Sequence, residues 1–306
     1  MKVLFTGATG VLGREAVPLL IADGHDVTAI ARSEADAGWL DGVGARPLEA
    51  DLFDSDSVGM AVNGVDAIVH FATAIPPLDR FAKPRAWALN DRLRDEATAL
   101  LVDAASTAGV SRFVQQSVTF AYADGGDMWL DETDAIDPGF EVLDSALAAE
   151  AHVDRFRARG GTGVTLRLSR LYGPGRASSE YVSAVAAGKV PLIGSGQNYV
   201  SSLHVVDGAN AVLAALAAPG GTYNVSDDEP VTAEAYVTEL ARLLGARKPR
   251  RVPSLLARVV VGRAAELLTR SHRVSNRKLI EASSWRPRFP SVTEGWKDIV
   301  DGIGSR

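Results

Sequence analysis

The chain has 306 residues, enough for one large or two smaller hydrophobic cores at roughly 100–200 residues per domain. Hydrophobic residues make up 46% and charged residues 23%, as in an ordinary soluble globule, and the net charge of −6 argues against a nucleic-acid partner. Because the chain has no Cys, disulfides, a thiolate nucleophile and cysteine-ligated metal sites are excluded, and its five scattered His residues indicate no metal site.

The first half of the chain alternates short apolar runs with longer helical patterns. This alternation predicts a parallel α/β sheet, and the close spacing of the first runs is typical of a doubly wound nucleotide-binding fold. The predicted strands are 3–6, 26–31, 45–50, 66–72, 112–118 and 163–168. The predicted helices lie near 11–22, 55–63, 86–108 and 143–159.

The second half is richer in turns, with helices predicted at 206–217 and 232–245. Residues 253–272 have an amphipathic pattern opened by a proline, which fits one helix or a pair, and either a lid over a cleft or part of the core. We predict a Rossmann-type α/β domain interleaved with a smaller C-terminal substrate domain. The first comprises 1–172 plus about 200–226, and the second 173–199 plus 227–306.

The segment TGATGVLG places three glycines between the first strand and the first helix. Small residues let the backbone turn tightly and approach a pyrophosphate, and the helix N-terminus offers free N–H groups to it. We therefore predict a dinucleotide site here; the alternative is a purely structural turn. The residues expected to contact the nucleotide are Gly7, Thr9, Gly10, Val11, Leu12 and Gly13.

The end of the second strand indicates which nucleotide binds. NAD-binding proteins usually carry an Asp or Glu there for the ribose hydroxyls, whereas this strand ends in Arg32. A guanidinium pairs with a 2′-phosphate, so we predict NADP(H), against the alternative of a surface arginine with no ligand. After the third strand, Asp51 is expected to take the adenine amino group, with Leu52 beside it, unless Asp51 only caps a helix.

Seven segments together resemble the extended short-chain dehydrogenase/reductase superfamily, in its epimerase/dehydratase-like branch, over nearly the whole chain. They are TGATGVLG, DAIVHFATA, RFVQQSVTFAY, DETDAIDP, LRLSRLYGPG, SSLHVVDGANAVLAAL and NRKLIEASSWRPRFPSVTEG. The resemblance implies further cofactor contacts from Ala72, Thr73, Ser117 and Arg170, the last standing where the family commonly has Asn.

The family's catalytic set is a Ser or Thr on the fifth strand and a Tyr-x-x-x-Lys on the next helix, in which the Lys lowers the pKa of the Tyr for proton transfer. At the matching positions this chain has Val118 for the Ser, Val142 for the Tyr and Ala146 for the Lys. The loss of all three predicts a site that works differently. The candidates for a replacement acid are Ser117 and Tyr122, with Thr119 and Tyr172 as further possibilities, although Tyr122 equally fits an aromatic that packs at the domain junction.

A ketone reductase must also protonate the alkoxide that forms as hydride arrives. Besides a side chain, an ordered water or the substrate can supply that proton, because a phenol beside the ketone neutralises the developing charge. Correct positioning of the hydride donor then supplies the remaining reduction of the activation barrier. The chain looks compatible with the tyrosine-less angucyclinone ketoreductases of this superfamily, such as that of the simocyclinone pathway. We predict an atypical NADPH-dependent ketoreductase for a bulky, aromatic polyketide or other secondary-metabolite ketone.

Two other functions fit the same residues: a regulator that senses NADP without turning it over, and a cofactor-independent cyclase or isomerase. The expected partner is a small-molecule ketone, with no nucleic acid and no membrane, and the expected state is a monomer or homodimer. No apolar run approaches the roughly 18–20 residues of a membrane span, and the first glycines come too early for a signal peptide. A cytoplasmic location is therefore expected.

Overall fold

A seven-stranded sheet, with every neighbouring pair of strands parallel, forms the centre of the protein. The computed structural model describes residues 1–77, 80, 83–137, 141–261 and 264–304. From edge to edge, the strands are β12 (Gly221–Val225), β7 (Thr162–Leu168), β5 (Arg112–Val118), β4 (Ala67–His70), β1 (Lys2–Thr6), β2 (Asp26–Ile30) and β3 (Arg46–Leu48). The chain runs from β1 to β3 on one side and then crosses to β4, so the switch point lies between β1 and β4. This order confirms the predicted Rossmann-type fold.

Helices cover both faces of the sheet, and short strands tie together the segments beyond it. The helices are α1 (Gly13–Ala22), α2 (Glu34–Val43), α3 (Ser55–Ala61), α4 (Ala88–Arg94), α5 (Glu96–Ala108), α6 (Glu141–Ala158), α7 (Arg176–Ala186), α8 (Val205–Ala215), α9 (Ala233–Leu243), α10 (Ser254–Val261), α11 (Ala264–Thr269), α12 (Arg277–Ala282) and α13 (Val292–Gly304). The short strands are β6 (Trp129–Leu130), β8 (Arg170–Tyr172), β9 (Leu192–Ile193), β10 (Tyr199–Val200), β11 (Ser202–His204), β13 (Val231–Thr232), β14 (Arg251–Val252) and β15 (Arg273–Val274).

Three apolar clusters hold these layers together. One joins the sheet to α1 and α8, and a second joins its other face to α3, α5 and α6. The third lies among α7, α9 and α13, around Tyr172 and Trp296. Burial on both faces explains why the central strands read as continuous apolar runs rather than as alternating ones. The exact limits of the two domains stay a prediction.

Two helices differ from the sequence-based expectation. The helix α2 was not predicted, because its ten residues include two internal glycines and bury only Leu40. The single helix predicted for 86–108 is broken at Asp95 into α4 and α5. There the Leu93 carbonyl accepts hydrogen bonds from His70 Nε2 at 3.0 Å and from Thr98 Oγ1 at 3.5 Å. Side-chain donors that enter the helical ladder interrupt it.

Within the segment 253–272 the described residues form helix α10 at Ser254–Val261 and helix α11 at Ala264–Thr269. Two leucines of α10 point to solvent, with Leu255 73% and Leu256 58% exposed. Its role as a lid stays a prediction. In the part of the chain that is described, no helix is long and apolar enough to cross a membrane.

Candidate functional site

The loop after β1 is packed so closely, against the end of β4 and against itself, that no side chain fits at Gly7 or Gly13. A Cβ on Gly7, whose φ is +78°, would lie 2.5 Å from the carbonyl carbon of Phe71, and one on Gly13 would lie 2.3 Å from the Gly7 oxygen. No side chain caps the N-terminus of α1, which begins at Gly13. The loop therefore offers bare backbone and an open helix N-terminus, which is what a pyrophosphate needs. These residues fit a dinucleotide.

A buried histidine fixes the facing loop, where Ala72 and Thr73 follow β4. Thr6 Oγ1 and His70 Nδ1 are 2.6 Å apart, and the Ala72 amide donates to Thr6 Oγ1 at 3.4 Å. Burial lowers the pKa of His70 to about 4, so the ring is neutral. With Nε2 donating to the Leu93 carbonyl, Nδ1 is left to accept from Thr6. Sequence reasoning missed this pair, although the apolar run around His70 already indicated that the ring is buried.

Arginines surround the nucleotide loop where β2 ends. Arg32 is exposed and makes no ion pair with any residue that the structure describes. Beside it, Ser33 caps α2 by accepting from the Asp36 amide at 3.1 Å. The Arg14 guanidinium, which sequence reasoning overlooked, donates to the Thr9 carbonyl at 3.1 Å and lies 4.7 Å from the centre of the Trp39 ring. Two cations therefore lie close to the loop.

The third strand contributes less to this region than its sequence suggested. Asp51 Oδ1 accepts from the Phe53 amide at 2.9 Å and so holds a turn, while Asp54 is the residue that caps α3. Leu52 is buried against the second apolar cluster. An adenine contact from Asp51 or Leu52 stays a prediction.

The positions of the missing acid lie on β5 and α6. Val118 is the last residue of β5, and Ala146 is fully buried within α6. Val142 belongs to the first turn of α6, but its side chain is outside the described part of the structure. Ser145, next to Ala146, donates to Asp91 Oδ1 at 2.8 Å and joins α6 to α4.

Ser117 belongs to a buried hydrogen-bond network. Its hydroxyl donates to Glu150 Oε1 at 2.5 Å, and Glu150 pairs with Arg167 through bonds of 2.7 and 2.9 Å. Arg167 also donates to the Tyr122 hydroxyl at 2.9 Å, which in turn donates to Asn224 Oδ1 at 2.8 Å. The network links β5, α6, β7 and β12.

Burial within this network counts against Ser117 and Tyr122 as proton donors to a substrate. Both residues are fully buried, and both hydroxyl protons are already donated. Burial raises the pKa of Tyr122 to about 12, partly opposed by Arg167, which makes its proton harder to release. The nearby Glu150–Arg167 pair was not anticipated from the sequence, since it depends on α6 docking beside β7.

A cleft opens directly after β5, between the sheet and the segments that follow β8. Thr119 and Arg170 both line the cleft, and Thr119 Oγ1 is 3.4 Å from Ser169 Oγ. His272 borders the cleft and its Nε2 lies 3.0 Å from the Tyr122 carbonyl, while burial lowers the pKa of the ring. The other lining residues are Phe120, Asn198, Tyr199, Val200, Ser201, Leu267, Leu268 and Arg270.

Residues 3–226 match the model of the NAD dependent epimerase/dehydratase family. The chain belongs to this family. A 3-diazoavenalumate denitrifying reductase of a Streptomyces species is 38% identical over 96% of this chain and 99% of the relative. A ketoreductase of Stigmatella aurantiaca, which acts on 4-hydroxy-2-methyl-3-oxo-4-farnesyl-3,4-dihydroquinoline-1-oxide, is 26% identical over 80% of this chain and 74% of its own.

Solved structures of the family share the fold along the whole chain. Human epimerase family protein SDR39U1 with NADPH superimposes with a TM-score of 0.79 at 23% identity, covering 98% of this chain and 99% of its own. The dTDP-glucose 4,6-dehydratase DesIV of Streptomyces venezuelae with NAD gives 0.80 at 22% identity, over 100% and 98%. Family and relatives identify this chain as a nicotinamide-dependent oxidoreductase of the reductase type with a small-molecule substrate. The predicted family, fold and nicotinamide cofactor are confirmed.

Proposed function

We propose that this chain is an NADPH-dependent reductase whose hydride acceptor is a carbon bearing an aromatic diazo group. The observation that carries the proposal is the replacement of all three proton-handling residues by Val118, Val142 and Ala146. A reductase that retains its nucleotide loop but lacks its acid is best suited to an acceptor that needs no proton from the protein.

The diazo acceptor meets this condition in its arenediazonium form, whose positive charge is neutralised by the hydride. When bound, the reduced nicotinamide supplies a hydride, whose electron pair forms the new carbon–hydrogen bond. The carbon–nitrogen bond breaks, its electron pair leaves with dinitrogen, and the arene and the oxidised cofactor remain. A ketone differs, because its alkoxide product must take up a proton near the reacting carbon.

The residues of this chain have separate roles in the proposal. The loop from Gly7 to Gly13 holds the pyrophosphate, while Arg32 and Arg14 favour NADPH by facing its 2′-phosphate. Val118 and Ala146 carry no ionisable group, so neither position can donate a proton to the substrate. Thr119 leads from the end of β5 into the cleft, where the rest of the substrate is held.

The relative at 38% identity supports this reading, since its name describes a reductase that removes nitrogen from a diazo compound. The second candidate is the ketoreductase expected from the sequence, acting on an aromatic polyketide ketone with substrate-assisted protonation. The ketoreductase at 26% identity favours it. The diazo acceptor explains the missing acid without help from the substrate, and we prefer it for that reason.

The deciding experiment follows hydride from deuterated NADPH. The protein is incubated without oxygen with an aromatic diazo acid or with a phenolic aromatic ketone. We expect NADPH oxidation with the diazo acid, release of one dinitrogen for each NADPH, and deuterium on the arene carbon by mass spectrometry. Deuterium on a carbinol carbon from the ketone, with no reaction of the diazo acid, would establish the ketoreductase instead. Tight NADPH binding without turnover of either would leave the regulator.

A further inference from the structure

A half-buried arginine that lines the cleft has no carboxylate to neutralise it. Arg170 is the first residue of β8, and its amide donates to the Ser201 carbonyl at 3.2 Å. Its guanidinium lies 5.5 Å from the centre of the Tyr236 ring. Among the residues that the structure describes, no Asp or Glu forms an ion pair with Arg170. The other arginine of the cleft differs, because Arg270 pairs with Asp137 at 2.5 Å.

Such a cation favours an anionic ligand. A half-buried guanidinium has lost part of its hydration, and a carboxylate restores that loss through two parallel hydrogen bonds. The backbone position of Arg170 is fixed by the parallel pairing of β8 with β11, and its guanidinium is held by a hydrogen bond to the Tyr236 side chain. A preformed site of this kind loses little entropy on binding.

The walls of the cleft suit an aromatic body attached to that anion. Phe120 and Tyr199 offer ring faces, and Leu267 and Leu268 supply aliphatic surface. The ring of His272 stands edge-on to Phe120, with centroids 6.2 Å apart. Burial keeps this histidine neutral, so it adds no second positive charge.

We propose that Arg170 binds the carboxylate of the substrate, which makes the substrate an aromatic acid. The inference rests on the proposed function for the diazo-bearing carbon of the substrate. It adds the carboxylate as the second group of the substrate that the protein recognises. It also changes the role expected of Arg170 from a cofactor contact to a specificity-determining residue. Thr119, one residue beyond Val118, lines the same cleft as Arg170.

Binding without turnover tests the inference. The protein saturated with NADPH is titrated with para-hydroxycinnamate and with its methyl ester, which differ only in the charge of the acid group. We expect the wild type to bind the acid at least about tenfold more tightly, as a hydrogen-bonded charge pair provides. Arg170→Gln should bind the two equally, and Arg170→Lys should keep part of the preference. Arg242→Gln is the matched control, because this substitution removes the same charge from an exposed arginine on α9.

Each outcome decides between named alternatives. The inference would be overturned if Arg170→Gln kept the full preference for the acid. It would also be overturned if the wild type bound acid and ester equally, or bound neither. If Arg170→Gln instead weakened NADPH and kept the preference, Arg170 would be a cofactor contact. Because no hydride transfer is needed, a failed diazo assay with an intact carboxylate preference would sink only the proposed function.

Discussion

At the scale of single residues, Ser117 and Tyr122 hydrogen-bond to the Glu150–Arg167 pair, and we predict that neither acts as the acid. Ser117→Ala removes a hydrogen bond to a carboxylate, and we expect the free energy of unfolding to fall by about 1.5–3 kcal/mol. Tyr122→Phe leaves Asn224 Oδ1 without its donor, and we expect a loss of about 1–3 kcal/mol. Both variants should keep the hydride-transfer rate within about twofold of wild type, a change of under about 0.5 kcal/mol in the barrier.

Urea denaturation and single-turnover kinetics measure the two quantities separately. Ser179→Ala is the control, because its hydroxyl only donates to the Gly175 carbonyl on an exposed turn of α7. It should change the free energy of unfolding by no more than about 0.5 kcal/mol. A hundredfold slower hydride transfer in Tyr122→Phe, roughly 2.7 kcal/mol, with unchanged stability would restore Tyr122 as the acid.

A second prediction at this scale concerns Arg32 and the choice of nucleotide. Arg32→Ala should weaken NADPH by at least about tenfold, which is about 1.4 kcal/mol, and leave NADH unchanged, because only NADPH carries a 2′-phosphate. Fluorescence titration with both nucleotides gives the two dissociation constants. Arg46→Ala, which loses an equally exposed charge already paired with Asp26 at 3.0 Å, should change neither. Equal weakening of both nucleotides in Arg32→Ala would mean that Arg32 does not select the phosphate.

At the scale of elements, the sequence predicted best where one local pattern decides the structure. Strand β1 was predicted to within one residue of its observed limits because burial on both faces favours a continuous apolar run. The break between α4 and α5 was not predictable, since it depends on His70 reaching the Leu93 carbonyl from another strand. The helix α2 was missed for a different reason: with one buried side chain, it has almost no amphipathic pattern.

In the candidate site, too, features set by a local pattern were predictable, whereas features set by contacts between distant segments were not. The glycines of the nucleotide loop were identifiable because a close backbone approach admits no other residue. The loss of the acid stays a prediction, and it rests on the replacement of three family positions together. The surroundings of Ser117 were not, because the Glu150–Arg167 pair joins a helix to a strand that are distant in sequence. Arg14 was overlooked since its contacts to Thr9 and Trp39 form only when α2 packs beside the loop.

At the scale of the whole molecule, two buried histidines make stability depend on pH. Burial lowers the pKa of both His70 and His204 to about 4, from 6.5 in the unfolded chain. His204 packs against Phe289, with ring centroids 4.0 Å apart. As pH falls below 6.5, the unfolded chain takes up protons that the folded protein does not. The free energy of unfolding therefore falls as the pH drops from 6.5 to about 4. The contribution of the two neutral histidines to stability is complete only above pH 6.5.

At pH 5 we expect each histidine to lower the free energy of unfolding by about 2 kcal/mol. Each unit of pH below 6.5 contributes about 1.4 kcal/mol for every proton that only the unfolded chain binds. Urea denaturation at a series of pH values measures the slope. His70→Asn keeps a donor and an acceptor between Thr6 and Leu93. In this variant the slope of the free energy of unfolding against pH, between pH 6.5 and 5, should be smaller by the equivalent of one proton. The exposed-carboxylate control Asp56→Asn should leave that slope unchanged, because it alters charge without altering a buried ring. If wild type and His70→Asn had the same slope, His70 would be protonated in the folded state, and the neutral ring that orders the loop after β4 would have to be abandoned.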